Sequence, residues 1–417
     1  MYNVFTSKKI TFPKGFLWGS GVAGHQVEGM NVNSHCWENE KKLKPDNRSG
    51  RAIDHYNRYP EDISLLRALG HKAFRTSVEW SRIQPSEGAF NEKALAHYLD
   101  EFALLKKNGI KRFLTLHHLS HPQWFEEKGG WAKEGNLKYF EKYLKLVLPR
   151  LAGAADFWHT SNEFNLYPPE KKVNALKAHA LAYRLIKKYS KKPVSYAHAF
   201  ALQKPYNPCS KADIAAAKRL DWLKNEGVLN AVRSGRIDFP GRKAEFVPDL
   251  KGALDFWSIN YYTRHMINAS GKTTVETRYD HKIQKMIDMD FYMEEFYPEG
   301  IIEACMRVND KPIFITENGV SCKDDAFRIA NLSLTLNALS EAIEMGAEVK
   351  GYLHWSTFDN YEWDSFVPRF GLVKVDFKTF KRSPKPSAYF YREVIKNNGF
   401  DGKMAAKYIS KIPTIKH

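Results

Sequence analysis

The chain has 417 residues, 43% hydrophobic and 27% charged, which supplies a large core and excludes a fibrous or wholly disordered chain. Lys and Arg number 64 against 47 Asp and Glu, a net charge of +17, but the Lys pairs at 41–42, 106–107, 171–172, 187–188 and 191–192 are scattered. No focused basic patch for nucleic acid follows from such a spread. Four well-separated cysteines, Cys36, Cys209, Cys305 and Cys322, form neither a CxxC zinc module nor a disulfide scaffold. Residues 1–19 lack an apolar leader stretch, and no window reaches 18 uninterrupted apolar residues, so a cytoplasmic location away from membranes is expected.

The predicted elements alternate. A first strand over Gly15–Ser20 is followed by Leu65, Leu66 and Leu69 on one helical face, then by a strand in HKAFRTSVEW (71–80). A helix over 94–109 precedes the strand in IKRFLTLHHL (110–119), and a helix over Lys138–Leu151 precedes the one in DFWHTSNE (156–163). A helix over 175–190 leads to PVSYAHAFA (193–201), and later strands fall at Leu254–Asn260, Pro312–Glu317 and Gly351–Trp355. This order predicts one (β/α)8 TIM barrel across residues 1–417, in the α/β class. The runner-up, a doubly wound dinucleotide fold, has only Gly19-Ser-Gly21-Val-Ala-Gly24, followed by a polar stretch that does not read as a helix.

In such a barrel, function collects at the C-terminal ends of the strands. Those ends carry Gln26 and Glu28, Arg75 and Glu79, His117 and His118, Asn162 and Glu163, Asn260 and Tyr262, Glu317 and Asn318, then Trp355, Asp359, Asn360, Glu362 and Trp363. Amides and carboxylates bind hydroxyls, and indoles stack on the apolar faces of sugar rings, so the set suits a neutral polyhydroxylated ligand. Glu163 and Glu317 follow strands on opposite sides of an eight-stranded closure, and two carboxylates across a cleft can carry out glycosidic hydrolysis. His117 and His118 point to opposite faces of their strand. One is expected to face the lumen and touch substrate, and no metal or cofactor is expected.

In these blocks the sequence resembles family 1 β-glycosidases. The resemblance rests on FPKGFLWGSGVAGHQVEG (12–29), HYNRYPEDISLLRALGHKAFRTSVEWSRIQPSEG (55–88), TLHH (115–118), WHTSNE (158–163), INYYT (259–263), ITENG (315–319), GYLHWSTFDNYEW (351–363) and RFGLVKVD (369–376). The blocks run in order from Phe12 to about Tyr391, before a short C-terminal extension. The resemblance implies a retaining double displacement with Glu163 as acid/base and Glu317 as nucleophile. It implies that Arg75 and Tyr262 hydrogen-bond the nucleophile. It also implies that Gln26, His118, Asn162, Asn260, Trp355, Glu362, Trp363 and Phe370 form the terminal-sugar pocket.

Some positions depart from the family pattern. Phe164 replaces the usual Pro after the acid/base, and Leu119 replaces an indole near the glycone wall. Phe164, Trp124 and the 264–298 segment are expected to shape the leaving-group side. Glu362 stands where members acting on 6-phosphoglycosides carry a small residue, so unphosphorylated β-glucosides, β-galactosides or β-fucosides are the expected substrates. A transglycosylase with the same carboxylate pair, or a silent sugar-binding barrel, is the alternative.

Overall fold

The computed structural model describes residue 4, residues 6–274 and residues 295–409. Eight parallel strands close a barrel: β1 (Leu17–Gly21), β2 (Ala73–Ser77), β3 (Lys111–Thr115), β4 (Phe157–Asn162), β5 (Val194–Ala199), β6 (Trp257–Asn260), β7 (Ile313–Glu317) and β8 (Val349–Trp355). Each pairs with its neighbours in chain order, and β8 returns to β1 with Gly351 beside Leu17 and Trp355 beside Gly21. All eight predicted strands are present. The first begins two residues late, because Gly15 takes φ +82° in the turn that precedes it.

The outer layer forms for the reasons the periodicity suggested. In the helix Leu137–Leu151, the residues Phe140, Tyr143, Leu144, Val147, Leu148 and Leu151 recur every three or four positions and are buried. The helix Glu92–Lys107 starts where the Asn91 side chain accepts the Ala94 N–H and ends on Lys106 and Lys107, which suit the negative end of its dipole. The stretch after Gly24, read as too polar for helix, holds a six-residue one, His35–Glu40. Ser34 caps it by accepting the Trp37 N–H, a local bond that overrides the polar composition.

Two glycines of the dinucleotide-like motif have packing reasons. A Cβ on Gly19 would lie 2.0 Å from the Ala73 carbonyl oxygen of β2, and one on Gly24 would lie 2.6 Å from Glu79 Oε1. Gly19 lets β1 sit flush on β2, and Gly24 leaves room for the Glu79 and Glu28 carboxylates.

Inside the barrel, side chains stack in layers. The floor is Ala73, Phe113, Phe256, Phe314 and Leu353, with Phe113 and Phe157 rings stacked 4.3 Å apart. A floor phenylalanine cut to alanine is expected to cost about 3–5 kcal/mol. Two residues further along their strands, Arg75, His159 and Ser258 make a polar layer, and the strand ends above it carry the site. An unpredicted three-stranded sheet, with Leu202–Pro205 and Arg264–Ile267 paired in parallel, rises beyond β5 and β6 and flanks that site. At the far end of the chain, Gly399–Phe400 pairs with Ile10–Thr11.

Candidate active site

A cavity of about 520 Å³ opens at the C-terminal ends of the strands. Eleven of the twelve sequence-predicted site residues line it: Gln26, His118, Asn162, Glu163, Asn260, Tyr262, Glu317, Trp355, Glu362, Trp363 and Phe370. The twelfth, Arg75, lies beneath them, fully buried.

Glu317 ends β7, and both of its oxygens are held. Arg75 Nη1 donates to Oε1, and the Tyr262 hydroxyl donates to Oε2 at 2.8 Å. Burial and the neighbouring carboxylates push the Tyr262 phenol well above its usual range, which keeps its proton in place to donate. Arg75 is fixed in turn. Its Nη2 donates to Asn162 Oδ1 at 2.6 Å and its Nε to His159 Nδ1 at 3.3 Å, while His159 Nε2 donates to Ser258 Oγ at 2.6 Å. A buried guanidinium is tolerated because its hydrogens find partners and a carboxylate balances its charge.

Glu163 follows β4 with φ +51°, a left-handed conformation rare for a residue with a Cβ. Leu119 (φ +63°) and Trp363 (φ +60°) share it and also line the cavity. Such backbone costs about 1–3 kcal/mol per residue and is typical of functional sites. Asn260 couples the two carboxylates' surroundings. Its Nδ2 donates to Glu163 Oε1 at 2.8 Å and to Asn162 Oδ1 at 3.1 Å, and Thr316 Oγ1 holds its carbonyl at 2.8 Å.

These bonds set the state of His118. Because Asn162 Oδ1 already accepts two bonds, its Nδ2 is the donor to His118 Nε2 at 3.1 Å. The His118 proton therefore sits on Nδ1, which has no protein partner. Burial, then the Arg75 charge, holds the ring well below its usual pKa and neutral. His117 points the other way, to Ser161, His121 and Trp131, as the strand alternation predicted.

At the opposite end, Gln26 Nε2 donates to Glu362 Oε2 at 3.0 Å and to the Tyr361 carbonyl at 2.8 Å. Its Oε1, buried and without a protein partner, is an acceptor for a ligand hydroxyl. Burial raises Glu362 to about 8, with the Glu317 charge adding to the rise. Trp355 and Trp363 frame this end, and the His25 ring backs Trp363 at 6.0 Å and 5°.

The fold agrees with what comparison with known proteins finds. The sequence profile described as Glycosyl hydrolase family 1 matches residues 8–400. The chain belongs to glycosyl hydrolase family 1. Among family members, Beta-glucosidase A of Acetivibrio thermocellus is 32% identical, over 94% of this chain and 100% of the relative. A 6-phospho-beta-galactosidase of Streptococcus mutans is 30% identical over 94% and 99%. Among solved structures, a beta-glycosidase from Pyrococcus horikoshii superposes with a TM-score of 0.87 at 34% identity, covering 98% of this chain and 100% of its own. A family 1 β-glucosidase from Thermotoga maritima, in complex with isofagomine lactam, gives 0.85 at 29% identity over 94% and 100%.

This family 1 hydrolase departs from the sequence reading on its leaving-group side. Phe164 does not line the cavity; it is buried against Tyr196, 4.6 Å between centroids, and His179. A strained backbone at Glu163 turns the next side chain outward into the helical layer. Trp124 is also elsewhere, edge-on to Trp80 and donating to the Gln84 carbonyl. Of the 264–298 segment, His265 reaches the cavity, and residues 275–294 lie outside the described ones. Leu119 does stand at the cavity, as expected. Glu28 does not; it is bound to Arg82 at 2.5 Å and to Tyr98, and burial raises it to about 7. The sequence reading missed Leu166, Phe200 and Lys224, and reached His265 only as part of the 264–298 segment. Lys224 belongs to a π-helical turn, Trp222–Glu226, inside a polar stretch that carries no motif. No helix among the described residues is long and apolar enough to cross a membrane.

Proposed function

We propose that this hydrolase cleaves terminal, unphosphorylated β-D-glycosides with retention of configuration, β-glucosides first among them. One observation carries the reading: both oxygens of Glu317 are gripped, by Arg75 and Tyr262, while Asn260 holds Glu163 from the other side of the cavity. A gripped carboxylate suits a nucleophile that attacks the anomeric carbon. It suits less well a base that must serve a mobile water. Glu163, protonated, delivers its proton to the departing oxygen as the sugar–oxygen bond breaks and the Glu317 ester forms. Esterification removes the negative charge of Glu317, and Glu163, now ionised, takes a proton from the water that opens the ester. Asn162 keeps one amide hydrogen beyond its bond to His118, and the 2-hydroxyl of the sugar is its natural acceptor.

The sugar's outer hydroxyls meet Gln26 Oε1, His118 Nδ1–H and Glu362. A carboxyl raised to about 8 is mainly neutral near pH 7, so it can donate as well as accept. Exclusion of a 6-phosphate then rests less on like-charge repulsion than the sequence suggested. It rests on the missing counter-charge: among the described residues lining the cavity, the one ammonium, Lys224, stands at the other end. Beta-glucosidases and 6-phospho-beta-galactosidases both stand among the relatives, which makes this discrimination the point to test.

The test is a panel of aryl β-glucoside, β-galactoside, β-fucoside and 6-phospho-β-galactoside, with NMR of the first product taken faster than mutarotation. Turnover of a free glycoside with initial release of the β-anomer is expected. Initial α-anomer would remove Glu317 as nucleophile, and turnover of the 6-phosphate alone would overturn the substrate class.

A further inference from the structure

We propose that the leaving-group end of the cavity is a subsite for an aglycone that joins an apolar body to an anionic group, with Lys224 as the counter-charge; this rests on the glycosidase reading above. Position comes first. Asn165, two residues after Glu163 and fully buried, donates to the Lys224 carbonyl at 2.9 Å. The same side chain holds β5 at Ala199, donating to its carbonyl at 2.9 Å and accepting its N–H at 3.1 Å. Lys224 is thereby tied to the loop of the acid/base, on the side to which the departing oxygen leaves.

Charge comes second. Lys224 lines the cavity, and burial lowers its ammonium below the usual lysine range with no carboxylate among the described residues opposing the shift. The acids nearest in sequence, Asp221 and Glu226, are taken by Arg307 at 2.6 and 2.5 Å. A second ammonium, Lys172, stands close enough to repel Lys224, and it is bound to the Leu223 carbonyl. A partly desolvated cation without a counter-ion is costly unless a ligand supplies one.

The remaining lining completes the description. Leu166 presents an apolar side chain that is 47% exposed, and the buried Phe200 lines the same cavity. His265 is held neutral, at about 4, by burial and by Lys224. Its Nδ1 accepts from Gln203 Nε2 at 3.3 Å, which leaves the proton on Nε2 as a donor. An apolar platform, one ammonium and one neutral N–H fit a carboxylate carried on an aryl or alkyl leaving group.

The experiment compares 4-carboxyphenyl and 4-carbamoylphenyl β-glycosides of the sugar that the panel above selects. Each is assayed with wild type, Lys224→Met and Lys224→Arg. The ratio of the two kcat/KM values, set against the same ratio in the variant, cancels the intrinsic difference between the phenols. Lys224→Met should lower the ratio by about five- to tenfold and Lys224→Arg should largely keep it. The wild-type ratio should also fall as salt is raised. Equal ratios in wild type and Lys224→Met overturn the subsite while leaving the glycosidase reading intact. Absence of turnover on every glycoside of the panel overturns both.

Discussion

The two ends of the cavity are built differently. At the glycone end, His118, Asn162, Asn260, Arg75, Glu317 and Tyr262 sit in one continuous chain of side-chain hydrogen bonds at the ends of the barrel strands, and Gln26 is bonded to Glu362 beside it. At the leaving-group end, Leu166, Lys224 and His265 come from a 3-10 turn (Phe164–Leu166), a π-helical turn and the short flanking sheet. The first end is pre-ordered, so chemistry that tolerates little displacement can occur there. The second is carried by connections, where side chains can vary without disturbing the barrel. Reaction type is therefore written into the first end, and choice of leaving group into the second.

The largest effect should come from breaking the ordered end at its centre. Glu317→Gly should abolish ordinary hydrolysis, by at least about 10⁴-fold, as expected where a covalent route is lost. Its fold should persist at reduced stability, because Arg75 keeps Asn162 and His159 as hydrogen-bond partners but loses the carboxylate that balances its charge. Azide or formate, or an α-glycosyl fluoride with an acceptor, should restore part of the turnover. A fully active variant would take Glu317 out of the mechanism.

Next in size is a change at the boundary between the two ends. Glu163→Gln should slow glycosides with poor leaving groups by about 10²–10⁴-fold, the range of general acid catalysis. Dinitrophenyl glycosides need no proton, and their glycosylation step should be nearly spared in a pre-steady-state burst. If good and poor leaving groups lose equally in that step, Glu163 is not the acid.

The same contrast explains what was legible in the sequence. Strands and helices announce themselves by period, and the residues at strand ends are read off once the eight strands are counted. So the ordered end, from Gln26 to Trp363, could be named in advance, and its roles came from the resemblance of its motifs. Phe164 and Trp124 were misplaced because nothing in their local sequence tells which way a side chain leaves a strained turn. Glu163 at φ +51° sends the Phe164 ring toward Tyr196 and away from the cavity. Lys224 was invisible for a different reason. It is one lysine among many, and bonds between distant residues bring it to the site, among them the one its carbonyl accepts from Asn165, 59 positions away. The state of Glu362 was missed too, since burial and the Glu317 charge are properties of the folded pocket.

A third prediction sharpens the glycone end alone. Glu362→Ser removes the carboxyl that faces the outer hydroxyls and leaves Gln26 Nε2 with two of its three acceptors. Catalysis on the free glycoside should weaken by about 2–4 kcal/mol, the cost of losing a strong hydrogen-bond partner. Relative tolerance of a 6-phosphate should rise, because the phosphate no longer meets the carboxyl. An unchanged ratio of kcat/KM between free and phosphorylated substrate would contradict this role.

The smallest effect concerns stability, and it separates the cost of the ordered end from its use. Burial raises Glu362 from its ordinary 4.5 to about 8. Between those values the folded chain binds a proton that the unfolded chain has released. Stability from this group is therefore fully present below about pH 4.5 and is lost as pH rises toward 8. The slope is at most about 1.4 kcal/mol per pH unit. Glu28, raised to about 7 by burial beside Arg82, adds a slope of the same sign that ends earlier. Glu362→Gln cannot titrate, so its Tm should decline less than that of wild type between pH 5 and 8. The difference should be a few degrees, because a chain of this size converts each kcal/mol into only about 1–2 °C. Parallel Tm profiles would mean that Glu362 is already ionised across the range. The pocket would then hold a fixed negative charge, and like-charge repulsion would return as the force that keeps a 6-phosphate out.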